Sequence, residues 1–222
     1  MGCRNSRSIT ETGSPDNNIV FRYEKSLRFD TVPTSSFECL LRRYSKPGVS
    51  LESVLENVQR DLKLTIKPSV VKVLASQNLE TESLLTFFIL NSKGDETEKA
   101  EALWYVFENQ SNDEMSAKDF KELLKKVIDM SYAVTITANI EDEESNSNRL
   151  KALNTRIKQR VETFHKNLTS HFIGESNSIK KEEFLLKVKD RPEGFITLPM
   201  AVRCQIEKIK VMPTKFSNPF KK

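Results

Sequence analysis

The residues with the most specific chemistry stand at the start of the sequence, which begins MGCRNS. A Gly after Met1, with Ser6 following, is typical of N-myristoylation at Gly2, and Cys3 stands where a palmitoyl chain would be added. One myristoyl chain holds a protein on a bilayer with an association constant of only about 10⁴ M⁻¹, so a second chain is needed for stable attachment. The sequence therefore predicts lipidation at Gly2 and Cys3. The alternative is that these are ordinary residues of a disordered N-terminus.

The composition is that of a soluble body in a reducing compartment. No apolar run is long enough to span a bilayer, and no apolar segment of a secretion signal follows Met1. Cys3, Cys39 and Cys204 are scattered without metal-ligand spacing. The 35 basic residues are interleaved with 31 acidic ones, which excludes nucleic acid as the expected partner. The cytoplasmic face of a membrane is the expected location, with a plasma or flagellar (ciliary) membrane favoured.

Helical periodicity dominates the sequence from residue 35 to residue 189. Phe37, Leu40, Leu41 and Tyr44 have the spacing of one helix face, and later segments repeat this spacing. Breaks that contain Gly, Asn and Ser separate these segments, so the helices are expected to be short and numerous. The pattern predicts an all-α fold.

Four apolar pairs share one spacing across these breaks. In each pair one apolar residue follows the break, and a second one opens the next helix. The pairs are Val49 with Val54, Leu79 with Leu84, Met115 with Phe120, and Ile179 with Phe184. In an EF-hand, the helix–loop–helix unit that binds Ca²⁺, an apolar loop residue pairs with the neighbouring loop, and the exiting helix begins its core face at this same offset. The repeat predicts paired EF-hand-like units with short strands between their loops.

The segment Lys99–Phe120 resembles the third hand of a family of proteins with four EF-hands. That family includes calcineurin B, the calcineurin B homologous proteins, plant calcineurin B-like sensors and neuronal calcium sensors. The segment Ser176–Phe184 is similar to a fourth hand. The resemblance covers residues 35–190 and implies two lobes of paired hands. Several members of the family are acylated after a Met-Gly start, which agrees with the motif at Gly2.

The resemblance divides the chain into four parts. These are an acylated, flexible tether over 1–34, an N-terminal lobe over 35–94, a C-terminal lobe over 95–190 and a C-terminal tail over 191–222. The stretch 19–29 mixes apolar and basic residues. It is expected either to lie against the membrane or to pack on the body.

The resemblance also implies where a metal ion would bind. An EF-hand loop needs oxygen ligands at positions 1, 3, 5 and 9, a Gly at position 6 and a bidentate Glu at position 12. The candidate ligands of the third loop are Glu108, Gln110, Asn112, Glu114 and Asp119. Asp113 stands where the Gly is needed, and Ser116 stands at position 9. Because Asp119 is one methylene shorter than Glu, bidentate Ca²⁺ binding is difficult, whereas Mg²⁺ remains conceivable.

The other three loops are poorer ligand sets. The fourth has Phe172 and Lys180 at ligand positions, which leaves Glu183 as its one proper ligand. The first two loops, around 46–48 and 76–78, are too short to enclose an ion. The sequence therefore predicts no cofactor and no Ca²⁺ affinity in at least three hands, with weak Ca²⁺ or Mg²⁺ binding left open for the third.

A protein with such poor metal-binding loops would still be able to bind a helix of a protein partner. An amphipathic segment of a partner lies in an apolar groove of the hands. The candidate groove residues are Phe87, Phe88, Leu90, Trp104, Phe107, Phe120, Leu124 and Val127. The alternative for each is ordinary core packing. The tail is apolar from Ile196 to Val211, and it is expected either to fill the groove or to form an interaction site.

An enzyme is poorly supported. His165 and His171 are six positions apart and do not share a helix face, and no zinc, phosphate-loop or nucleophile motif occurs. The sequence predicts a membrane-anchored, non-enzymatic adaptor or regulatory subunit that binds a protein partner largely without calcium. The competing class is a Ca²⁺ or Mg²⁺ sensor that works through the third hand.

Overall fold

Ten α-helices and one small antiparallel sheet make up the described part of the chain, so the all-α prediction is confirmed. The structure is a computed structural model and describes residues 13–46, 48–77, 79–108, 113–190 and 195–210. The helices are α1 (Pro15–Ser26), α2 (Thr34–Tyr44), α3 (Leu51–Leu62), α4 (Pro68–Ser76), α5 (Thr81–Asn91), α6 (Glu96–Phe107), α7 (Ala117–Asp142), α8 (Ser147–Phe172), α9 (Lys181–Lys189) and α10 (Pro199–Lys208). The strands are β1 (Glu114–Ser116) and β2 (Ser178–Lys180).

Side-chain caps set where several of these helices begin. The Ser14 hydroxyl accepts a hydrogen bond from a backbone amide in the first turn of α1, and Ser50, Asp95 and Ser116 do the same for α3, α6 and α7. Such caps satisfy amides that have no partner within the helix. They therefore fix the residues at which these helices begin.

Helices α2–α5 and α6–α9 repeat one packing pattern. In the first set α2 packs on α5 and α3 packs on α4, and in the second α6 packs on α9 and α7 packs on α8. The outer two helices of each set are thus in contact, and so are the inner two. Helices α4 and α5 also pack on α7, so one continuous core crosses the predicted boundary between residues 94 and 95.

Two aromatic clusters form the densest parts of this core. In the first, the ring of Phe29 lies 5.9 Å from that of Phe37 and 5.2 Å from that of Phe88. In the second, the ring of Phe172 lies 5.4 Å from that of Phe120 and 5.6 Å from that of Phe184. Edge-on and tilted aromatic pairs at these distances add stability beyond that of buried area.

Helix α1 corrects the prediction of a flexible tether for part of residues 1–34. Val20 and Tyr23 of α1 are buried, and the helix packs on α7, α8 and α10. Within 19–29, packing on the body is therefore the correct alternative. The buried positions Asn17, Val20 and Tyr23 recur every three residues and one of them is polar, so the apolar face is narrow and was not recognised in the sequence. None of the helices in the described ranges is long and apolar enough to cross a bilayer.

Candidate functional site

Two helix–loop–helix units meet in the C-terminal half of the chain. One runs from α6 through β1 into α7, and the other runs from α8 through β2 into α9. The strands pair antiparallel with Met115 opposite Ile179, and both side chains are buried. The Ala117 amide extends the pairing by donating to the Asn177 carbonyl at 2.8 Å. A short antiparallel strand pair, of the kind predicted between neighbouring loops, is therefore present here.

Asp113 adopts the backbone conformation for which an EF-hand loop uses Gly. Its φ is 51°, in the left-handed region. This region costs an ordinary L-residue roughly 1–2 kcal/mol, although Asp and Asn tolerate it better than most. Asp113 therefore has, without being a Gly, the φ expected of a Gly at this position.

The ligand positions on the exit side of the third loop make contacts of another kind. The Asp119 amide donates to the Ser116 hydroxyl oxygen at 3.2 Å, and the Ser116 hydroxyl donates to the Asp119 carboxylate at 2.8 Å. Glu114 accepts a hydrogen bond from the Ser178 hydroxyl across the sheet. These side chains hold the start of α7 and the strand pair together.

The entry side of the same loop is described only at Glu108, which ends α6. Gln110 and Asn112 lie outside the described residues. Within the described ranges, no three His, Cys, Asp or Glu side chains lie together in a way that could hold a metal ion.

The fourth loop directs its first ligand position into the core. Phe172 has no exposed surface and packs among the aromatic rings of the second cluster. Glu183, the one suitable ligand of this loop, forms an ion pair with Lys187 at 2.6 Å. Phe172 therefore belongs to the core, and Glu183 forms a surface ion pair within α9.

The loops of the N-terminal half differ from the prediction. Val49 is 43% exposed and Leu79 is partly buried, and in the described part of their loops neither lies in a strand. The Val49 amide donates to the Lys46 carbonyl at 3.1 Å in a turn, so it is not available to a strand partner. A single parallel bridge instead joins Pro33 to Lys93.

The candidate groove residues belong to the core. Phe87, Phe88, Leu90, Trp104, Phe107, Phe120, Leu124 and Val127 are all buried. The Trp104 ring lies 5.5 Å from the Phe184 ring, where α6 packs on α9. Their packing is that of the alternative, ordinary core residues, and Leu90 also borders a cavity at the start of α10.

The described part of the C-terminal tail packs on α7, α8 and α1. Phe195 stacks on Phe172 with ring centres 6.2 Å apart, and Ile196, Val202 and Ile206 are buried. Helix α10 lies on α7 and α8 and touches α1. The apolar residues of the tail are therefore covered as far as the structure describes them, and Val211 lies outside that range.

Arg203 of α10 is a functional candidate that the sequence analysis missed. Its side chain has no exposed surface. It donates to Glu24 at 2.5 Å and 3.0 Å, to the Asn17 side-chain oxygen at 2.9 Å and to the Ser131 carbonyl at 2.6 Å. One guanidinium group thus joins α1, α7 and α10. The sequence signal is an arginine inside an otherwise apolar segment, which is a reason to look for a buried carboxylate partner.

A second layer of charges surrounds this group, at the start of α1. Asp16 accepts hydrogen bonds from Arg149 at 3.0 Å and from Arg156 at 2.8 Å, both on α8. Burial alone would raise the pKa of Asp16, but the two guanidinium groups outweigh burial and hold this pKa below its usual value. Glu207 of α10 accepts from Arg156 at 3.3 Å and from the Asn17 side chain at 2.5 Å. We call Asn17, Glu24, Arg203 and Glu207 the clasp.

The predicted lipidation residues, Gly2 and Cys3, lie outside the described residues. Searches of protein families, of curated proteins and of solved structures found no match for this chain.

Proposed function

We propose that this protein is a non-enzymatic, EF-hand-like adaptor, held on the cytoplasmic face of a membrane by lipids on Gly2 and Cys3 and largely independent of calcium. One observation carries the calcium-independent part of the proposal. The C-terminal loops pair through Met115 and Ile179, while Asp119, Glu183 and Phe172 make contacts within the protein. Hydrogen bonds, an ion pair and packing among the described residues therefore support an architecture that elsewhere serves metal binding.

The repeated packing of α2–α5 and α6–α9 supports reading the fold as two paired sets of EF-hand-like units. In each set the outer helices pack together and the inner helices pack together. Only the second set has a strand pair among the described residues. We therefore propose two lobes that share one core, with α1 and α10 packed across the second lobe.

The position of α1 supports attachment to a membrane through a short N-terminal segment. Twelve residues precede Gly13, and a chain of that length spans at most about 40 Å. Gly13 lies beside α10, since a side chain at that position would meet Met200 and Cys204. A bilayer that holds Gly2 is therefore close to the face formed by α1, α8 and α10.

We propose that a partner binds by exchange with α10. The surface of α7 and α8 already holds an amphipathic segment of this chain, and helix-in-groove recognition uses segments of that kind. The apparent affinity for a partner equals the intrinsic affinity multiplied by the fraction of time during which α10 is displaced. An adaptor of this design binds its partner tightly only when α10 is released.

Fractionation of cells tests the anchoring. Gly2→Ala should release the protein to the soluble fraction, and Cys3→Ser should leave a weakly, reversibly bound form, because one acyl chain gives only marginal attachment. Metabolic labelling with an alkyne-bearing myristate analogue should mark the wild type and the Cys3→Ser variant but not Gly2→Ala. A Gly2→Ala protein that still sediments with membranes would refute the lipid mechanism.

The sensor alternative is favoured by one feature, the left-handed Asp113 at the position of the loop Gly. Calorimetric titration decides between the two. We expect no binding heat with Ca²⁺ up to about 10 µM, the range of sensor sites. Saturable uptake that Asp119→Ala abolishes would establish the third loop as a metal site and replace the calcium-independent proposal.

A further inference from the structure

A cavity of about 360 Å³ lies where the start of α10 meets α1 and the end of α5. Its apolar wall includes Phe21, Leu90, Leu198 and Met200. Its size falls in the range of small-ligand sites, about 300–1,000 Å³. The clasp and the paired loops account for none of these side chains.

Lys99 is a buried cation in the wall of this cavity. Only 3% of the residue is exposed. Its ammonium group donates one hydrogen bond, to the Leu90 carbonyl near the end of α5, at 2.8 Å. An ammonium group has three donors, and the described residues offer no acceptor for the other two. A desolvated cation with unused donors favours an anionic acceptor.

The other charges that face Lys99 leave the cavity positive. They are Glu24 and Lys25 of α1, Asp30 of the loop after α1, Lys93 of the loop before α6, and Glu98 of α6. Glu24 is neutralised by Arg203, and Lys25 pairs with Asp30 at 2.7 Å. Neither Lys93 nor Lys99 forms an ion pair with another described residue, so these two cations outnumber the one remaining carboxylate, that of Glu98. The N-terminal end of α10 brings no charge to the cavity, since its lining residues there are apolar.

We propose that this cavity binds a small amphiphilic anion, with its carboxylate or phosphate group on Lys99 and Lys93 and its apolar part against Phe21, Leu198 and Met200. Apolar walls with a few convergent polar groups are what such ligands require. The inference goes beyond the adaptor function, since it uses neither the lipids nor the paired loops, and it requires α10 in its packed position.

Proton linkage gives the proposal a specific signature. Burial, and next to it the charge of Lys25, lower the pKa of Lys99 to about 8. Near pH 8 about half of the molecules carry a neutral amine there, and a bound anion favours the charged form. Binding should therefore take up a fraction of a proton from the buffer.

Calorimetry with octanoate and octyl phosphate tests the site, with octanol as the uncharged control. We expect saturable binding of at least one anion, weaker binding of octanol, and a heat at pH 8 that depends on the ionisation enthalpy of the buffer. The better of the two anions identifies the headgroup. Equal affinity for octanol, or no saturable anion binding at millimolar concentration, would overturn the proposal.

Two variants locate the binding in this cavity. Lys99→Met removes the cation but keeps the length of the side chain, and it should weaken anion binding about tenfold or more and abolish the buffer dependence. Leu198→Trp, at a half-buried position, should block the cavity while leaving Lys99 in place. Lys72→Met, on the distant α4, is the matched control and should bind like the wild type. Unchanged binding in both cavity variants, with circular dichroism showing that they are folded, would refute the site.

Discussion

Arg203 is a charged side chain without exposed surface, so its donors have to find acceptors inside the protein. Glu24 supplies two of those acceptors and is itself largely buried. A pair of this kind adds little over a well-packed apolar pair, but the loss of one partner leaves the other charge stranded. The two residues are therefore strongly interdependent.

We expect Arg203→Met to lower the free energy of unfolding by about 3–5 kcal/mol, because it leaves the Glu24 carboxylate buried without its cation. The double variant Arg203→Met with Glu24→Met should recover much of that loss. Urea unfolding of the three proteins measures both effects. Arg42→Met, which breaks an exposed pair with Glu38, is the control and should cost at most about 1 kcal/mol. A double variant no more stable than the single one would contradict the interpretation.

Lys99 gives stability a dependence on pH. The pKa of its amine is about 8 in the folded protein, below the usual value of about 10.4. Between these values the unfolded chain binds more protons than the folded one, so the free energy of unfolding should rise as the pH rises from 8 towards 10. Lys99→Met should remove that part of the rise.

The measurement has an upper limit set by two tyrosines. Burial raises the pKa of Tyr132 to about 12 and raises that of Tyr23 further. Above pH 10 the unfolded chain would lose protons that these phenols keep, which lowers stability. Denaturant titrations of wild type and Lys99→Met at pH 7, 8, 9 and 10 should therefore give different slopes when the free energy of unfolding is plotted against pH. Parallel pH profiles would show that Lys99 titrates normally.

At the level of the structural elements, the described end of the third loop has an unusual backbone conformation. Asp113 holds a positive φ that Gly adopts without steric cost. We expect Asp113→Gly to be neutral or stabilising by up to about 1 kcal/mol, and Asp113→Ala to destabilise by roughly 1–2 kcal/mol. Thermal unfolding of both variants checks the signs. The opposite order would mean that side-chain contacts of Asp113 outweigh its backbone strain.

The loops also show what the sequence could and could not predict. Met115 and Ile179 pair as their spacing indicates, because each lies in a segment free to extend between two helices. Val49 has the same spacing, yet its amide is used in a turn just before Ser50 caps α3. Apolar spacing reports which side chains seek burial, whereas strand pairing depends on free backbone groups. The all-α class followed from the first property, and the expected strand pair of the N-terminal half failed on the second.

Side chains that meet from distant parts of the chain were beyond prediction. Arg203 and Glu24 are separated by 179 positions, and no local pattern connects them. The apolar residues of the tail were recognised as needing cover, and α10 provides it by packing on α7 and α8. The surface that it covers depends on packing that a single sequence does not reveal.

At the level of the whole molecule, one core joins both helix sets. Helices α4 and α5 pack on α7, and α5 packs on α6. We expect a single cooperative unfolding transition, because neither set can expose its core without opening the other. Phe88→Ala in the first set and Phe120→Ala in the second should each shift that one transition downwards, by about 3–5 kcal/mol in free energy. Calorimetry that resolves two transitions, each moved by only one variant, would instead show independent lobes.

The clasp also sets the order in which parts of the chain fold during synthesis. The two clasp residues of α1, Asn17 and Glu24, find Arg203 of α10 at 186 and 179 positions further along the chain. A ribosome releases the N-terminal end first, so Glu24 and Asn17 wait without Arg203 until nearly all of the described chain has been synthesised. Throughout that interval α1 lacks the part of its contact surface that α10 supplies. Complete docking of α1 is therefore a late step of folding that closes a long loop of the chain.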